Sequence, residues 1–402
     1  MKPVLQAHLQ PGDAIGVMGG GQLGRMMAHA AQEMGLAVVV LDPDADAPAA
    51  QVAQGLVQSA YDDPAGWTQL AERVQAVTTE FENVPAQALD ALAERKPVSP
   101  AAHSVAIAQD RAAEKAHFLR CGVPVTPHAV LQREADFSLA GDALFPGILK
   151  TARLGYDGKG QVRVHTRADL PAAWRQLQGG AASPVACVLE AQLPLAWECS
   201  VVVARGQDGQ CVSLPVQRNL HRHGILAVTE VGEGAVPADM GQSLTQAALA
   251  VATGLQHVGV LCVEFFVLQG GPWQRELGTW VVNEIAPRPH NSGHHSIDSC
   301  DLSQFNLQVR CAAGWPLVMP RQHSAAVMLN LLGDVWQNAA GQWREPDWPR
   351  LLALPGSHLH LYGKQEARVG RKMGHLTFTA PDLNQARAQA LQAAAILGID
   401  AW

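Results

Sequence analysis

The sequence predicts a mixed fold, an α/β unit on a small parallel sheet followed by α+β segments rich in antiparallel strands. Three observations predict it. Residues 14–100 alternate short apolar runs with stretches of helical spacing, the pattern of a parallel sheet covered by helices. Over residues 192–231 helical periodicity almost disappears, and short strand-like runs are separated by Gly and Pro. After residue 320 the chain returns to two apolar strands and a closing helix. With 402 residues, 48% hydrophobic and 16% charged, the chain can bury two or three cores, and we divide it at 1–105, 106–320 and 321–402.

The elements follow in order. A Pro11-Gly12 turn leads into strand AIGVM, which runs into the glycines of GGGQLG and a helix from Gln22 to near Gly35. Gly19, Gly21 and Gly24 fit G-x-G-x-x-G, and strand LAVVVLD ends in Asp42, about 20 residues on, where an acidic residue would hold an NAD ribose. Helix WTQLAERV, strand AVTTEF and a helix opened by Pro85 complete this unit. The charged segment QDRAAEKAHFLRC reads as a helix stopped at Gly122, with Pro124 beyond. Short strands follow in FPGILK, GQVRVHT, VACVLE, ECSVVVARG, GQCVSLPV and GILAVTEV. A long helix over 239–257 precedes strands VLCVEFFVL and TWVVNEIAP; AAVMLNLL, GHLTFTA and a helix from Leu383 close the chain.

A net charge of −7 gives no electrostatic ground for nucleic acid as a partner. No apolar run approaches the ~20 residues that span a bilayer, and MKPVLQAHLQPGD lacks the apolar core of a signal peptide. The 7 cysteines are scattered without C-x-x-C, so a reducing compartment, the cytoplasm, is expected rather than a zinc or disulfide framework.

Four stretches carry chemistry. KTARLGYDGKGQ places Gly155, Gly158 and Gly160 between Lys150 and Gln161, with Lys159 among them. Such a loop can close over phosphates, and it can equally be a surface hairpin turned by YDGKG. Glu264 and Glu284 lie inside two apolar strands, where a lone charge is costly. A hairpin could bring both onto one face as an oxygen site for magnesium. Pairing with Arg275 or Arg288 is the alternative, and metal is favoured because Arg288 belongs with His290 and Asn291 in the polar loop APRPHNSGHHS. That loop suits anion or substrate recognition. His294 and His295 read as hydrogen-bonding residues, since partner ligands at zinc spacing are missing. Finally, Lys364, Arg368, Arg371 and Lys372 form a basic cluster able to take a phosphate monoester. Together these parts suit nucleotide-dependent phosphoryl transfer with magnesium. Neither G-x-x-x-x-G-K-[ST] nor G-x-S-x-G occurs.

Six segments in order, PGDAIGVMGGGQLGRM, VTTEFENVP, QDRAAEKAHF, LKTARLGYDGKGQ, NEIAPRPHNSGHHSID and GRKMGHL, resemble the ATP-grasp superfamily and, within it, the 5-(carboxyamino)imidazole ribonucleotide synthetases. The resemblance implies an ATP-grasp fold with a Rossmann-like N-terminal domain, a central ATP-grasp domain and a small C-terminal α+β domain. It implies carboxylation of aminoimidazole ribonucleotide by ATP and bicarbonate, through carboxyphosphate, with ATP and Mg2+ bound and a homodimeric assembly. On the nucleotide side it implicates Arg111, Lys150, Gly155, Gly158, Gly160, Glu190, Glu198, Asn283 and Glu284, with Glu264 and Glu284 holding the metal. Tyr156, Asp157, Lys159, Arg288 and Lys372 would serve catalysis. Gly21, Gln22, Glu80, His290, Asn291, Lys364 and Arg371 would face the ribonucleotide. Lys159 stands where the family often has arginine, and Ala286 where carboxylase relatives often carry asparagine. A different ATP-grasp ligase, such as a formate-dependent ribonucleotide transformylase or a carboxylase, is the nearer alternative, and an NAD-dependent oxidoreductase the farther one. On the resemblance the glycine turn holds no dinucleotide, and the oxidoreductase reading loses.

Overall fold

The computed structural model describes residues 6–153, 160–179, 184–338, 340–400 and 402. Strand β1 (Ala14–Met18) is buried along its whole length, as a continuous apolar run in a parallel sheet should be. It is followed by α1 (Gln22–Glu33), β2 (Ala37–Asp42), β3 (Gly55–Gln58), α2 (Pro64–Arg73), β4 (Ala76–Thr79) and α3 (Ala86–Ala93). The four strands lie in the order β3-β2-β1-β4, all parallel. Helix α2 begins three residues before the expected segment, because Asp63 caps the Ala65 amide and Pro64 fits the first turn. Strand β3 escapes the sequence pattern: it is four residues long and mostly half-exposed.

Helices α4 (Ala102–Ala108) and α5 (Arg111–Arg120) lead out of this unit. The side chain of Asp110 accepts from the Ala112 and Ala113 amides and so starts α5. Read as a charged helix, α5 nevertheless buries Glu114, Lys115, His117 and Phe118.

A small antiparallel sheet comes next, from β5 (His128–Leu131), β6 (Gly147–Thr151), β7 (Gln161–Val164) and β8 (Cys187–Ala191), in the order β5-β8-β6-β7, with α6 (Leu170–Gln178) alongside. The chain then forms β9 (Leu195–Arg205), β10 (Cys211–Ser213), β11 (Gln217–Arg222), β12 (Ile225–Val231), α7 (Ala238–Gly254), β13 (Gly259–Leu268), α8 (Pro272–Leu277), β14 (Trp280–Ala286), α9 (Ser296–Ser299) and α10 (Gln304–Ala313). The expected antiparallel character of 192–231 is present, and β11, with alternate residues half-exposed, is added to it.

The last part comprises β15 (Ala325–Leu332), α11 (Trp348–Leu352), β16 (Ser357–Leu361), β17 (Lys372–Ala380) and α12 (Leu383–Leu397). Its strands do not make a separate sheet. Val228 of β12 sits opposite Leu329 of β15, so one sheet runs β14-β13-β9-β11-β12-β15-β17-β16 across the division expected after residue 320. The physical reason is edge satisfaction: β12 and β15 each complete the other's hydrogen bonds.

Phe118 on α5 is fully buried with Leu244, Val251 and Leu261 from α7 and β13. Phe118→Ala should therefore lower stability by about 3–5 kcal/mol, the cost of a large aromatic cavity, measured by urea denaturation.

Candidate active site

Strands β13 and β14 form the floor of a cleft of about 630 Å³, large enough for a nucleotide. Their register sets Glu264 directly opposite Glu284, so both carboxylates leave the same face of the hairpin. Among the described residues neither Arg275 nor Arg288, the alternative partners, pairs with them. Oε1 of Glu264 meets His290 Nε2 at 2.9 Å, and Oε2 of Glu284 meets Arg111 at 3.1 Å. Arg288 pairs with Glu82 instead. Desolvation pushes the Glu264 carboxyl up, but the charge and hydrogen bond of His290, with the His221 and Lys372 charges, together outweigh it and keep the group ionised. A pair of hard oxygen donors on one face, each with one oxygen engaged, fits a divalent cation such as Mg2+. The buried Cys262 thiol lies close to Glu264 and His290, but burial raises its pKa well above the usual value and keeps it protonated, a poor ligand.

The opposite wall belongs to α5 and the small sheet. Glu190 on β8 is buried between two lysines, with Lys150 of β6 at 2.8 Å and Lys115 of α5 at 3.1 Å. Burial raises this carboxyl, but Lys115 and then Lys150 outweigh it and hold the pKa near 2. Farther along, Glu198 of β9 pairs with His221 of β11 at 3.0 Å. Against desolvation, the hydrogen bond to Glu198 raises the His221 pKa. Arg111, Lys150, Glu190, Glu198, Glu264, Asn283 and Glu284 all line this cleft.

The polar loop after β14 closes the far end. Arg288, His290, Asn291 and Lys372 reach the same cleft. Both polar atoms of the Asn291 amide are buried without a partner among the described residues, the state of a group awaiting a ligand. His294 Nδ1 accepts from Gln304, and His295 shares a hydrogen bond with Ser299.

The glycine turn is occupied by the protein's own carboxylates. The amides of Gly21 and Gly24 donate to Glu80, and that of Gly20 to Asp42, at 3.0, 3.3 and 2.6 Å. A Cβ on Gly19 or Gly21 would come within 2.6 Å of the Glu80 side chain, so the glycines are required by this packing. Asp42 also accepts from Tyr61 and the Asp44 amide, leaving it engaged by the turn rather than a ribose. The donors that hold pyrophosphate in a dinucleotide fold are thus taken.

Glu80, Gly21, Gln22, Lys364, Arg371 and Gly160 do not line the main cleft. Lys364 instead donates to the Lys372 carbonyl at 2.7 Å, and Arg371 to that of Glu366 at 3.0 Å. Gln51 holds the Gly363 carbonyl at 3.0 Å, bringing this basic loop beside the N-terminal sheet. Gly160 accepts from the Thr151 amide at the base of its loop. Gly155, Tyr156, Asp157, Gly158 and Lys159 lie outside the described residues. Sequence reasoning missed Lys115, Glu114 and His221. A single charged residue on a helix, or one histidine in a strand, gives no pattern; Glu114 and Lys115 stand in QDRAAEKAHF and Glu82 in VTTEFENVP, stretches already singled out, but nothing in those stretches marks these residues from their neighbours.

Comparison with known proteins agrees with this architecture. Residues 13–109 match a ribonucleotide synthetase preATP-grasp domain, 116–305 an ATP-grasp domain, and 326–389 a phosphoribosylaminoimidazole carboxylase C-terminal domain. The fold and its cleft therefore define an ATP-grasp enzyme. An N5-carboxyaminoimidazole ribonucleotide synthase of Brucella melitensis is 41% identical over 377 residues, covering 94% of this chain and 99% of the relative. The Staphylococcus aureus N5-carboxyaminoimidazole synthetase, solved with ADP, superposes with a TM-score of 0.84 at 36% identity, covering 96% and 98% of the two chains. The Aspergillus clavatus enzyme, solved with ADP and 5-aminoimidazole ribonucleotide, gives 0.82 at 28% identity, covering 96% and 98%. The chain belongs to the N5-carboxyaminoimidazole ribonucleotide synthase family, ATP-dependent enzymes of purine biosynthesis.

Glu114 of α5 also lines the cleft, accepting from the Ile285 amide at 2.8 Å. Burial first, and the Glu284 charge second, push its pKa up to about 8. A carboxyl raised in the folded state favours folding at low pH and loses that contribution as pH rises through its folded pKa. Stability attributable to Glu114 should therefore fall between about pH 4.5 and pH 8. Glu114→Gln keeps the acceptor and should flatten this fall, by at most roughly 1.4 kcal/mol per pH unit, in metal-free urea titrations.

Proposed function

We propose that this chain carboxylates 5-aminoimidazole ribonucleotide with ATP and bicarbonate, giving N5-carboxyaminoimidazole ribonucleotide, ADP and phosphate. The observation that carries this reading is the facing pair Glu264 and Glu284 in one cleft with Arg111, Lys150, Arg288, His290 and Lys372. ATP is placed along the β8 wall, its base beside Glu190 and its ribose at Glu198 and His221. Arg111 and Lys150 hold the phosphates. Glu264 and Glu284 would hold Mg2+, which when bound offsets phosphate charge.

Bicarbonate oxygen attacks the γ-phosphorus, forming carboxyphosphate as the bond to the β-phosphate oxygen breaks and ADP leaves. Arg288, fixed by Glu82, and the unpartnered Asn291 amide are positioned to bind the anion. Carboxyphosphate releases carbon dioxide and phosphate, and the ribonucleotide's amine attacks the carbon, losing its proton. A covered site protects the labile intermediate from water. Lys364, Arg371 and Lys372 take the ribonucleotide phosphate, with Gly21, Gln22 and Glu80 nearby. Assembly as a homodimer in the cytoplasm accompanies this proposal on family resemblance.

The test is phosphate release from ATP with Mg2+ and bicarbonate, with and without aminoimidazole ribonucleotide. Strong stimulation and an acid-labile carboxylated product are expected; stimulation by formate in place of bicarbonate would replace this reading. Glu284→Gln should lower turnover by about 100-fold or more with the circular dichroism unchanged, as loss of transition-state charge stabilisation predicts. Burial first, then the Arg371 charge, lower the Lys364 pKa to about 8. The kcat/KM for the ribonucleotide should accordingly fall as pH rises through about 8, and Lys364→Arg should move that limb upward.

A further inference from the structure

Lys115 has no part in the contacts proposed above, yet it is the most deeply buried cation near them. Its side chain is 1% exposed, and Nζ lies 3.1 Å from Oε1 of Glu190. No other partner reaches that ammonium among the described residues. The other oxygen, Oε2, holds Lys150 at 2.8 Å. Glu190 itself is 4% exposed, and Lys150 is the more open of its two cations at 12%. Lys150 therefore lines the cleft while Lys115 stays behind it.

The asymmetry has a consequence for nucleotide entry. For Lys150 to turn from Glu190 to a phosphate, Glu190 must give up one cation. A buried carboxylate stripped of its only cation is strongly unfavourable, whereas one that keeps a second cation is not. We propose that Lys115 is a positioning residue: it holds the Glu190 charge permanently, so that Lys150 is free to exchange between Glu190 and the ATP phosphates. Lys115 touches neither ATP nor the ribonucleotide. It acts through Glu190 on Lys150, which makes a charged helix residue part of the nucleotide site. This rests on the reading that Lys150 contacts ATP.

The experiment is a double-mutant cycle on the full chain, with KM for ATP and kcat measured at saturating ribonucleotide and bicarbonate. Lys115→Met should raise KM for ATP by about tenfold or more while kcat changes less than about threefold, as loss of uniform ground-state binding predicts. In the Glu190→Gln background, where no carboxylate charge needs holding, the same substitution should change KM less than about twofold. Lys115→Arg keeps the charge and should stay near the unsubstituted value. Should Lys115→Met fail to fold, the Lys115→Met/Glu190→Gln variant, which strands neither the carboxylate nor the ammonium, is compared with Glu190→Gln, in which Lys115 alone is left unpaired, and a KM penalty above about twofold still overturns the proposal. An equal KM penalty from Lys115→Met in both backgrounds, a penalty above about twofold in the Glu190→Gln background, or a loss confined to kcat, overturns the proposal. Lys150→Met separates the two layers: if it leaves KM for ATP unchanged, the phosphate contact itself fails and the proposal falls with it. If it raises KM and Lys115→Met does not, only the role of Lys115 is overturned.

Discussion

A carboxylate removed from water needs a cation, and in this chain the cations arrive from distant elements. Glu190 on the small sheet is held by Lys115 of α5, Glu284 on the large sheet by Arg111 of the same helix, and Glu264 by His290 beyond the hairpin. Helix α5 is thus clamped between two sheets by charge as well as by Phe118 in the core. The Glu264 pair closes within the hairpin and the loop after it, but the two pairs made by α5 exist only once the helix and both sheets have docked. Buried ion pairs of this kind contribute little net stability against apolar packing, but they are costly to break, and they fix which surfaces meet. The cleft is the place where those half-buried charges face open space.

The same constraint, seen from the donor side, explains the glycine turn. The first amides of a helix lack intrahelical partners and attract an anion. Here Glu80 and Asp42 supply the anions from neighbouring strand ends. A turn that binds dinucleotide in other proteins becomes a packed corner, and its glycines are needed because carboxylate side chains stand where a Cβ would go. The nearby basic loop then lies against this corner through the Gln51 contact to Gly363, which joins the N-terminal sheet to the chain's last part.

Much of the fold was legible because its strands are continuous apolar runs. AIGVM, AVVVLD, VLCVEFFVL and AAVMLNLL are buried on both faces or nearly so and announce themselves in sequence. Strands β3, β5 and β11 were not, being short or half-exposed, with a mixed pattern that turn segments share. The union of β12 with β15 was also invisible, since pairing partners remote in sequence leave no periodic trace. At the site, Glu264 and Glu284 stood out because a charge inside an apolar strand breaks its own pattern. Lys115 did not, because a lysine in a charged helix breaks none.

The sequence by itself determined the strand and helix repertoire, the candidate carboxylates, the polar loop and, through six ordered segments, the family. Those are properties of local pattern: apolar periodicity, turn residues and motif spacing. Tertiary structure alone decided that Glu264 and Glu284 stand opposite one another, that Arg111 rather than Arg275 or Arg288 answers Glu284, and that Glu80 and Asp42 serve the glycine turn. Partner choice among charges depends on distance and desolvation, and both come into being only when separate elements pack together.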